Sequence, residues 1–400
     1  MKKLKYLVLA VIAGGIVSCS NETLTENIQI SEKGIQTRTI AEDPVNIQTV
    51  AKLMSCVELD ETIVDEVKAG IDRSFKYGLG YNFRFNDILR PKESKLIRTL
   101  KINQNLAYEL RNVYAKLQGV QKENLSSNDF FTFLANSNII IRWPYAESWN
   151  GVDVPIIGVA SEDGNSLYKP KQNIDGTFTF DTLYVDEEFV QENPIWVITE
   201  SCYSNDELPD FENGEFVNKN GTYFYSRYAA EKMNKGAVPA SYKGLYIAEM
   251  EFHRHYEGGL NGTGEFEFYW LSVPNGVGKC TNIMNFSSDG QIDKVLQVNK
   301  LIRSDWPKVE VDNGLVILEK DGGKDKKDSR ILRYDEITNN TYYRKNVTVE
   351  YSYEKKDERI MNSVWERSMI CSDLNYAPNG DLRKNYGSDN DFWITFRYFE

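Results

Sequence analysis

The sequence predicts an α+β fold that is mainly β, with a small helical N-terminal domain followed by antiparallel β-sandwich domains. Helical spacing of apolar residues is confined to residues 43–137, and strand-like runs begin at residue 138. The chain contains 24 Tyr, 19 Phe and 7 Trp, which favours strands. Several Asn-Gly pairs, notably those that begin at residues 220, 261, 313 and 379, are typical of hairpin turns.

The first twenty residues have the pattern of an export signal. Three lysines precede an apolar run over residues 6–17, which is shorter than the roughly 20 residues of a bilayer span. The run ends in Ile16-Val17-Ser18-Cys19. This sequence resembles the lipobox of bacterial lipoproteins. The resemblance implies a signal peptide of residues 1–18, cleavage before Cys19 and lipidation of Cys19 with chains such as palmitate. An ordinary signal peptide with an incidental cysteine is the alternative.

Residues 20–27 are polar, and residues 28–42 mix polar and apolar residues without a period, so we predict that residues 19–42 form a lipidated tether. Ser20 directly after the cysteine resembles outer-membrane lipoproteins. Glu22 and Glu26 resemble, in scattered form, the surface-export signal of Bacteroidetes lipoproteins. The expected location is therefore the outer membrane, lipid-anchored, with the cell surface favoured over the periplasmic face.

Three further stretches are similar to large Bacteroidetes outer-membrane lipoproteins without a known activity. They are residues 141–149, 193–198 and 256–267. This resemblance transfers no site to the chain.

The charge balance excludes one class of partner. The net charge is -12, and removal of the three signal-peptide lysines leaves about -15. Nucleic-acid binding needs clustered Lys and Arg, so we expect no nucleic-acid partner. We also expect no polybasic membrane contact, which leaves the N-terminal lipid as the membrane attachment.

Four cysteines remain after Cys19, at Cys56, Cys202, Cys280 and Cys371. An oxidising envelope permits disulfides between them. Buried free thiols are an equally good interpretation, so the sequence leaves their state open.

Residues 43–137 are predicted to form the helical domain. A short helix through Val50 follows Asp43-Pro44, and Asp60 is the N-cap of a second helix that ends at Gly78. The longest predicted helix runs from about Glu93 to Leu117. A last short helix passes through residues 130–134.

Strands are predicted from residue 138 onward, in a β-rich domain over 138–210 and an antiparallel β-sandwich of Ig-like or C2-like type over 211–400. The expected runs are 138–143, 153–160, 176–185, 194–199, 214–228, 243–257, 264–273, 309–318, 330–334, 341–353 and 391–399. The mixed-charge run 319–328 is predicted to be a solvated loop.

The two histidines of the chain lie in one short stretch. If this stretch is a strand, Glu251, His253, His255 and Glu257 share one face. Two imidazoles and two carboxylates are suitable ligands for zinc, iron or manganese, so a divalent metal is the one cofactor that the sequence proposes. The alternative is the polar face of a surface hairpin closed by Asn261-Gly262.

In that hairpin the partner strand 264–273 would bring Glu265 or Glu267 near the histidines. Paired carboxylates serve acid–base chemistry in glycoside hydrolysis. Exposed strands often carry such pairs as well, so the catalytic interpretation carries little weight.

Two weaker patterns concern other ligands. Trp143, Tyr145, Trp149, Trp270 and Trp393 are candidates for a sugar-stacking platform, although strand aromatics more often fill a core. Acidic and amide residues over 381–391 are candidates for calcium ligands, although turn residues explain them as well.

The sequence therefore favours a lipoprotein with a non-catalytic binding or structural role at the cell envelope. Its partner, a protein or a glycan, stays open. A metal-dependent hydrolase that uses the His253/His255 strand is one alternative, and a glycan-binding accessory lipoprotein is the other. No G-x-S-x-G motif, phosphate loop or dinucleotide fingerprint occurs, so an enzyme is disfavoured.

Overall fold

A computed structural model describes residues 45–118, 129–161, 164–201, 203–234, 244–253, 260, 264–288, 293–320, 325–339, 341–375 and 392–399. The predicted signal peptide, Cys19 and the tether lie outside these residues. Strands outnumber helices in the described chain, and most strand pairs are antiparallel, which confirms the predicted α+β, mainly β class.

The helices are mostly short. They occupy Ile47–Ser55 (α1), Glu61–Lys76 (α2), Phe85–Leu89 (α3), Asn105–Gln118 (α4), Asp129–Asn136 (α5), Glu187–Glu192 (α6), Arg227–Asn234 (α7) and Arg367–Asn375 (α8). Among the described residues, no helix is both long and apolar enough to cross a membrane.

Side-chain caps fix the first two helices. Asn46 accepts a hydrogen bond from the backbone N–H of Thr49 at 2.8 Å, and Asp60 accepts one from Ile63 at 2.9 Å. A cap of this kind stabilises a helix by about 1 kcal/mol. The predicted cap at Asp60 is confirmed, and the cap of α1 is Asn46.

The predicted helix from Glu93 to Leu117 is wrong in its first half, because α4 begins only at Asn105. The Ser94 hydroxyl accepts hydrogen bonds from the backbone N–H groups of Leu96 and Ile97, which holds this segment in turns. Leu96 and Ile97 are buried although they lie in turns. Their spacing in the sequence is similar to that of the apolar face of a helix, which explains the wrong prediction.

The strands are Asn82–Arg84 (β1), Ile139–Arg142 (β2), Ile156–Ala160 (β3), Ser166–Gln172 (β4), Phe178–Tyr184 (β5), Ile195–Glu200 (β6), Tyr223–Phe224 (β7), Gly244–Phe252 (β8), Glu265–Ser272 (β9), Lys279–Ser287 (β10), Leu296–Arg303 (β11), Asp312–Glu319 (β12), Asp325–Thr338 (β13), Thr341–Glu354 (β14), Glu358–Glu366 (β15) and Phe392–Phe399 (β16). Five of them, β1, β4, β10, β11 and β15, were not predicted.

A six-stranded sheet has the order β1-β2-β6-β3-β4-β5. All its pairs are antiparallel except β3 with β6, which is parallel. Helix α1 packs against β3, β4 and β6 and buries Val50, Leu53 and Met54. The predicted helical segment therefore covers this sheet and also contributes strand β1 to it.

A five-stranded sheet, β15-β12-β9-β10-β7, faces a three-stranded sheet, β11-β8-β16. Aromatic side chains fill the space between them: the Phe252 ring from β8 lies 4.4 Å from Phe266 and 5.2 Å from Phe286, centroid to centroid. Burial of each such ring contributes about 1.5–3 kcal/mol. This arrangement is the sandwich layer of the molecule, whereas its assignment to an Ig-like or C2-like type stays a prediction.

Strands β13 and β14 form a long hairpin whose base covers the outer face of the five-stranded sheet. Leu332, Val349 and Tyr351 of the hairpin pack there on Leu271 and Leu318.

Two predicted loops are corrected in this region. Asn313-Gly314 is not a turn, because both residues lie inside β12 and Asn313 is fully buried. The run 319–328 is not a loop over its whole length, because Glu319 ends β12 and residues 325–328 begin β13.

One hydrophobic cluster contains residues of all three predicted segments, from Val50 in α1 through Trp196 in β6 to Phe396 in β16. Neither predicted boundary, at 137/138 or at 210/211, coincides with a break in this core. The domain assignment itself stays a prediction.

Candidate functional site

A cavity of about 420 Å³ lies on the outer face of the five-stranded sheet. Strands β9 and β10 form its floor, and residues from the segment 203–222 form its wall. Every lining side chain carries a polar or titratable group. The lining consists of Tyr203, Glu207, Asn218, Asn220, Thr222, Glu267, Tyr269, Lys279, Cys280, Thr281, Asn282 and Asn285.

Strand alternation places Glu267 and Tyr269 on the cavity side, because Phe266, Phe268 and Trp270 point into the sandwich core. Their cross-strand neighbours on β10 are Asn285, opposite Glu267, and Asn282, opposite Tyr269. The floor of the cavity is therefore built from cross-strand pairs of polar residues.

A β-bulge between Asn282 and Met284 makes this floor possible. Asn282 and Asn285 are three residues apart and would lie on opposite faces of a regular strand. The bulge puts both on the cavity side, where the Asn282 amide donates to the Asn285 side-chain oxygen at 2.9 Å, while Ile283 and Met284 both enter the core. Without strict alternation, β10 has no period-2 pattern, which is why the sequence did not predict it.

Asn218 organises the wall of the cavity. Its side-chain oxygen accepts from the backbone N–H groups of Asn220 and Thr222 at 2.9 and 3.0 Å, and its amide donates to the Glu207 carbonyl at 2.8 Å. The predicted turn at Asn220-Gly221 is confirmed, with a φ of 87° at Gly221. The predicted strand 214–228 is wrong, because only β7 and the start of α7 are regular in this range.

A buried ion cluster adjoins the floor. The Lys320 ammonium lies 3.3 Å from Asp357 and 3.8 Å from both Glu267 and Glu354. The Lys320 side chain is 13% exposed and that of Asp357 is fully buried. Within the described residues, the Lys320 ammonium thus lies close to three carboxylates.

Burial changes the titration of groups in and beside the cavity. Desolvation raises the pKa of the Glu267 carboxyl. The Lys320 ammonium and a 2.5 Å hydrogen bond donated by the Tyr269 hydroxyl both lower this pKa, but they offset the effect of desolvation only in part. Burial by itself lowers the pKa of the Lys320 ammonium, but the surrounding carboxylates outweigh it and the net direction is upward. Burial also raises the pKa of the Cys280 thiol to about 11.

The predicted histidine site lies elsewhere, on the three-stranded sheet. Glu251 is on β8 and His253 directly follows the strand, with the fully buried Phe252 between them. His255 and Glu257 lie outside the described residues. Neither Glu251 nor His253 lines the cavity, and His253 is exposed on the sandwich.

The structure adds a ligand that the sequence did not indicate. The His253 Nδ1 atom lies 2.9 Å from the Asp293 carboxylate and 3.9 Å from the Glu251 carboxylate. The register of β8 with β11 pairs Met250 with Leu296, and its continuation beyond the strand ends puts Asp293 opposite His253. Asp293 was missed because β11 itself was not predicted.

The expected hairpin between 243–257 and 264–273 does not form. Strand β8 pairs with β11 and β16, whereas β9 pairs with β10 and β12 in the facing sheet. Glu265 therefore forms an ion pair with Arg142 at 2.9 Å, and Glu267 enters the cavity. Neither carboxylate joins the histidine.

The favoured interpretation of the strand aromatics, that they fill a core, is confirmed for two of the five candidates. Trp143 and Trp270 are 1% and 2% exposed, so both belong to the core. Tyr145 and Trp149 border a cleft of only about 30 Å³, which has room for little more than a water molecule. The candidate calcium ligands over 381–391 lie outside the described residues.

Cys56 and Cys280 carry free thiols, which favours the free-thiol interpretation for these two. Cys202 lies outside the described residues.

Comparison of the chain with protein-family models, with curated proteins and with solved structures finds no match. The fold and the cavity are thus the observations from which a function can be argued.

Proposed function

We propose that this chain is a lipid-anchored binding protein of the bacterial outer membrane, and that it takes a small hydroxyl-rich ligand, such as a sugar, without chemical conversion. One observation carries the binding part: the cavity of about 420 Å³ is lined throughout by polar or titratable side chains.

The size and chemistry of the cavity support this ligand class. Small-molecule sites usually have volumes of about 300–1,000 Å³ and are mostly apolar. Here four asparagines, two threonines and two tyrosines line the cavity, and their side chains carry neutral donors and acceptors. Hydroxyl groups of a sugar both donate and accept, so they can satisfy amides and hydroxyls of either polarity. A lipid or an apolar ligand could not pair with the polar groups that face the cavity, and a buried polar group that loses its partner costs about 1–3 kcal/mol.

The anchor rests on the sequence Ile16-Val17-Ser18-Cys19 and the preceding signal pattern. Two or more acyl chains on Cys19 would give stable membrane attachment. We expect Cys19→Ala to lose labelling by an alkyne analogue of palmitate and to move from the membrane to the soluble fraction. Cys56→Ala is the matched control and should keep both the label and the location. An unlabelled wild-type protein would refute the anchor.

Ligand binding is tested with defined neutral sugars: glucose, galactose, xylose and N-acetylglucosamine. We expect at least one of them to raise the melting temperature and to slow alkylation of Cys280, a cavity residue, as followed by peptide mass spectrometry. Thr281→Trp fills the cavity and should abolish both effects. Thr182→Trp, at an exposed position of β5, should leave them unchanged.

Two results would contradict the binding proposal. One is that no sugar protects Cys280. The other is that Thr281→Trp, with its fold verified by circular dichroism, binds sugar as well as the wild type does.

A second function has one observation in its favour. Glu267 has a pKa raised by burial, and the Glu207 carboxylate on the opposite wall is close enough to raise it further. A carboxyl with a raised pKa beside a second carboxylate is the arrangement of glycoside hydrolases. Hydrolysis of p-nitrophenyl glycosides that disappears in Glu267→Gln, with sugar binding retained, would establish this function over simple binding.

A further inference from the structure

We propose that Glu251, His253 and Asp293 form a zinc site on the surface of the sandwich. The site is separate from the cavity and does not depend on the function proposed for it. No other group of three such side chains is brought this close together within the described residues.

The distances are close to those of a coordination shell. The candidate ligand atoms lie within 4.8 Å of one another, and the His253 Nδ1 atom is 2.9 Å from Asp293 Oδ1 and 3.9 Å from Glu251 Oε1. Zinc binds nitrogen and oxygen ligands at about 2.0–2.2 Å, so two ligand atoms of one ion are at most about 4.2 Å apart. Rotation of a carboxylate closes the remaining gap, and the Asp293 side chain is free to rotate because it is 72% exposed.

The backbone holds the three ligands in this arrangement. The fully buried Phe252 fixes the end of β8, so that Glu251 and His253 stay on the opposite side from the core. The Phe252 carbonyl accepts the Asp293 N–H at 2.8 Å, which ties the two chain segments together directly beneath the ligands. Ligands on such a supported framework lose little conformational freedom when an ion binds.

The ligand types favour zinc over magnesium and calcium. Imidazole with carboxylates suits zinc, whereas magnesium and calcium prefer oxygen ligands throughout. The two carboxylates also neutralise the charge of the ion. A simple hydrogen bond between His253 and Asp293 is the competing explanation of the short distance, and it requires no contribution from Glu251.

The test uses zinc ions and the untagged mature protein. Calorimetric titration should show one zinc ion bound for each chain, with no comparable heat from calcium or magnesium. We expect His253→Gln and Asp293→Asn each to weaken zinc binding by at least about tenfold, and Glu251→Gln to weaken it measurably. Asp181→Asn, an exposed carboxylate on β5, is the matched control and should leave the affinity unchanged.

The imidazole NMR signals locate the site, because the chain contains only two histidines. The spectrum of His255→Gln contains the His253 signals alone and thereby assigns them. These signals should shift on addition of zinc, both in the wild type and in His255→Gln. Absence of zinc binding would overturn the proposal. Zinc binding that survives in both His253→Gln and Asp293→Asn would also overturn the proposal. Zinc binding that is lost only in His255→Gln would overturn it as well.

Discussion

Replacement of Lys320 by methionine tests whether the buried ion cluster beside the cavity is organised by this one cation. Its ammonium lies within 3.3–3.8 Å of Asp357, Glu267 and Glu354, and the side chain is 13% exposed. At an effective dielectric constant of about 20, a charge pair at these distances attracts by about 4–5 kcal/mol, a gain that desolvation largely offsets. Removal of the ammonium deprives the buried Asp357 and Glu267 carboxylates of this favourable charge contact, so we expect Lys320→Met to lose about 3–5 kcal/mol of unfolding free energy at neutral pH.

The loss should depend on pH in a definite direction. Burial already raises the pKa of Glu267 above its ordinary value of 4.5, and the loss of Lys320 raises it further. A carboxyl whose pKa is higher in the folded state binds more protons there, so stability falls as the pH rises through that folded-state value. The deficit of Lys320→Met should therefore be smallest near pH 4.5 and grow toward neutral pH.

Urea unfolding at several pH values, followed by tryptophan fluorescence, measures both effects. Lys327→Met is the matched control, because Lys327 is exposed on β13, and its change should stay within about 0.5 kcal/mol. A Lys320→Met midpoint close to that of Lys327→Met would refute the reasoning. A deficit that does not change with pH would refute the part that concerns Glu267.

Three further predictions concern single residues. Asn313 is fully buried, and its side-chain N and O have no hydrogen-bond partner within the described chain. Asn313→Leu should therefore raise the unfolding free energy by about 1–3 kcal/mol. A lower urea midpoint than that of the wild type would contradict this prediction. Gly78 has a φ of 80° and a Cβ there would lie 2.1 Å from the Tyr225 carbonyl oxygen, whereas Gly176 has a φ of 81° and open space. Thermal unfolding should therefore show a loss of more than about 1 kcal/mol for Gly78→Ala and a smaller one for Gly176→Ala; equal losses would rule out the steric explanation. Burial raises the pKa of Cys280 to about 11, so its alkylation by iodoacetamide at pH 8 should be much slower than that of an unstructured cysteine peptide. The rate should increase with pH up to about pH 11. A rate that levels off near pH 9 would show that the pKa of the thiol is not raised.

Local signals in the sequence predicted the parts of the fold that depend on neighbouring residues. The Asp60 cap, the apolar face of α2 and strands such as β6 and β14 follow from spacing alone. The turn at Asn220-Gly221 also follows from its residues, because Gly tolerates a positive φ. The same Asn-Gly signal was misleading at residue 313, where the sandwich core takes Asn313 into a central strand.

The candidate sites depended on pairing between distant strands. Glu251 and His253 were recognised because they are two residues apart, but Asp293 reaches them only through the register of β8 with β11. The cavity was not recognised at all. Its floor needs the bulge in β10, and its wall comes from a segment about 60 residues earlier in the chain.

The α+β, mainly β class and the positions of the regular helices and strands are encoded locally, because they depend on residue propensity and on burial of one face. The prediction of lipidation at Cys19 is local too, because it depends on a linear motif. Long-range strand pairing places β8 and β9 in facing sheets, brings Glu267 into a cavity and puts Lys320 beside its carboxylate. Strand pairing is non-local, so its outcome is set by how all the apolar faces are buried together, and no short stretch of sequence contains that information.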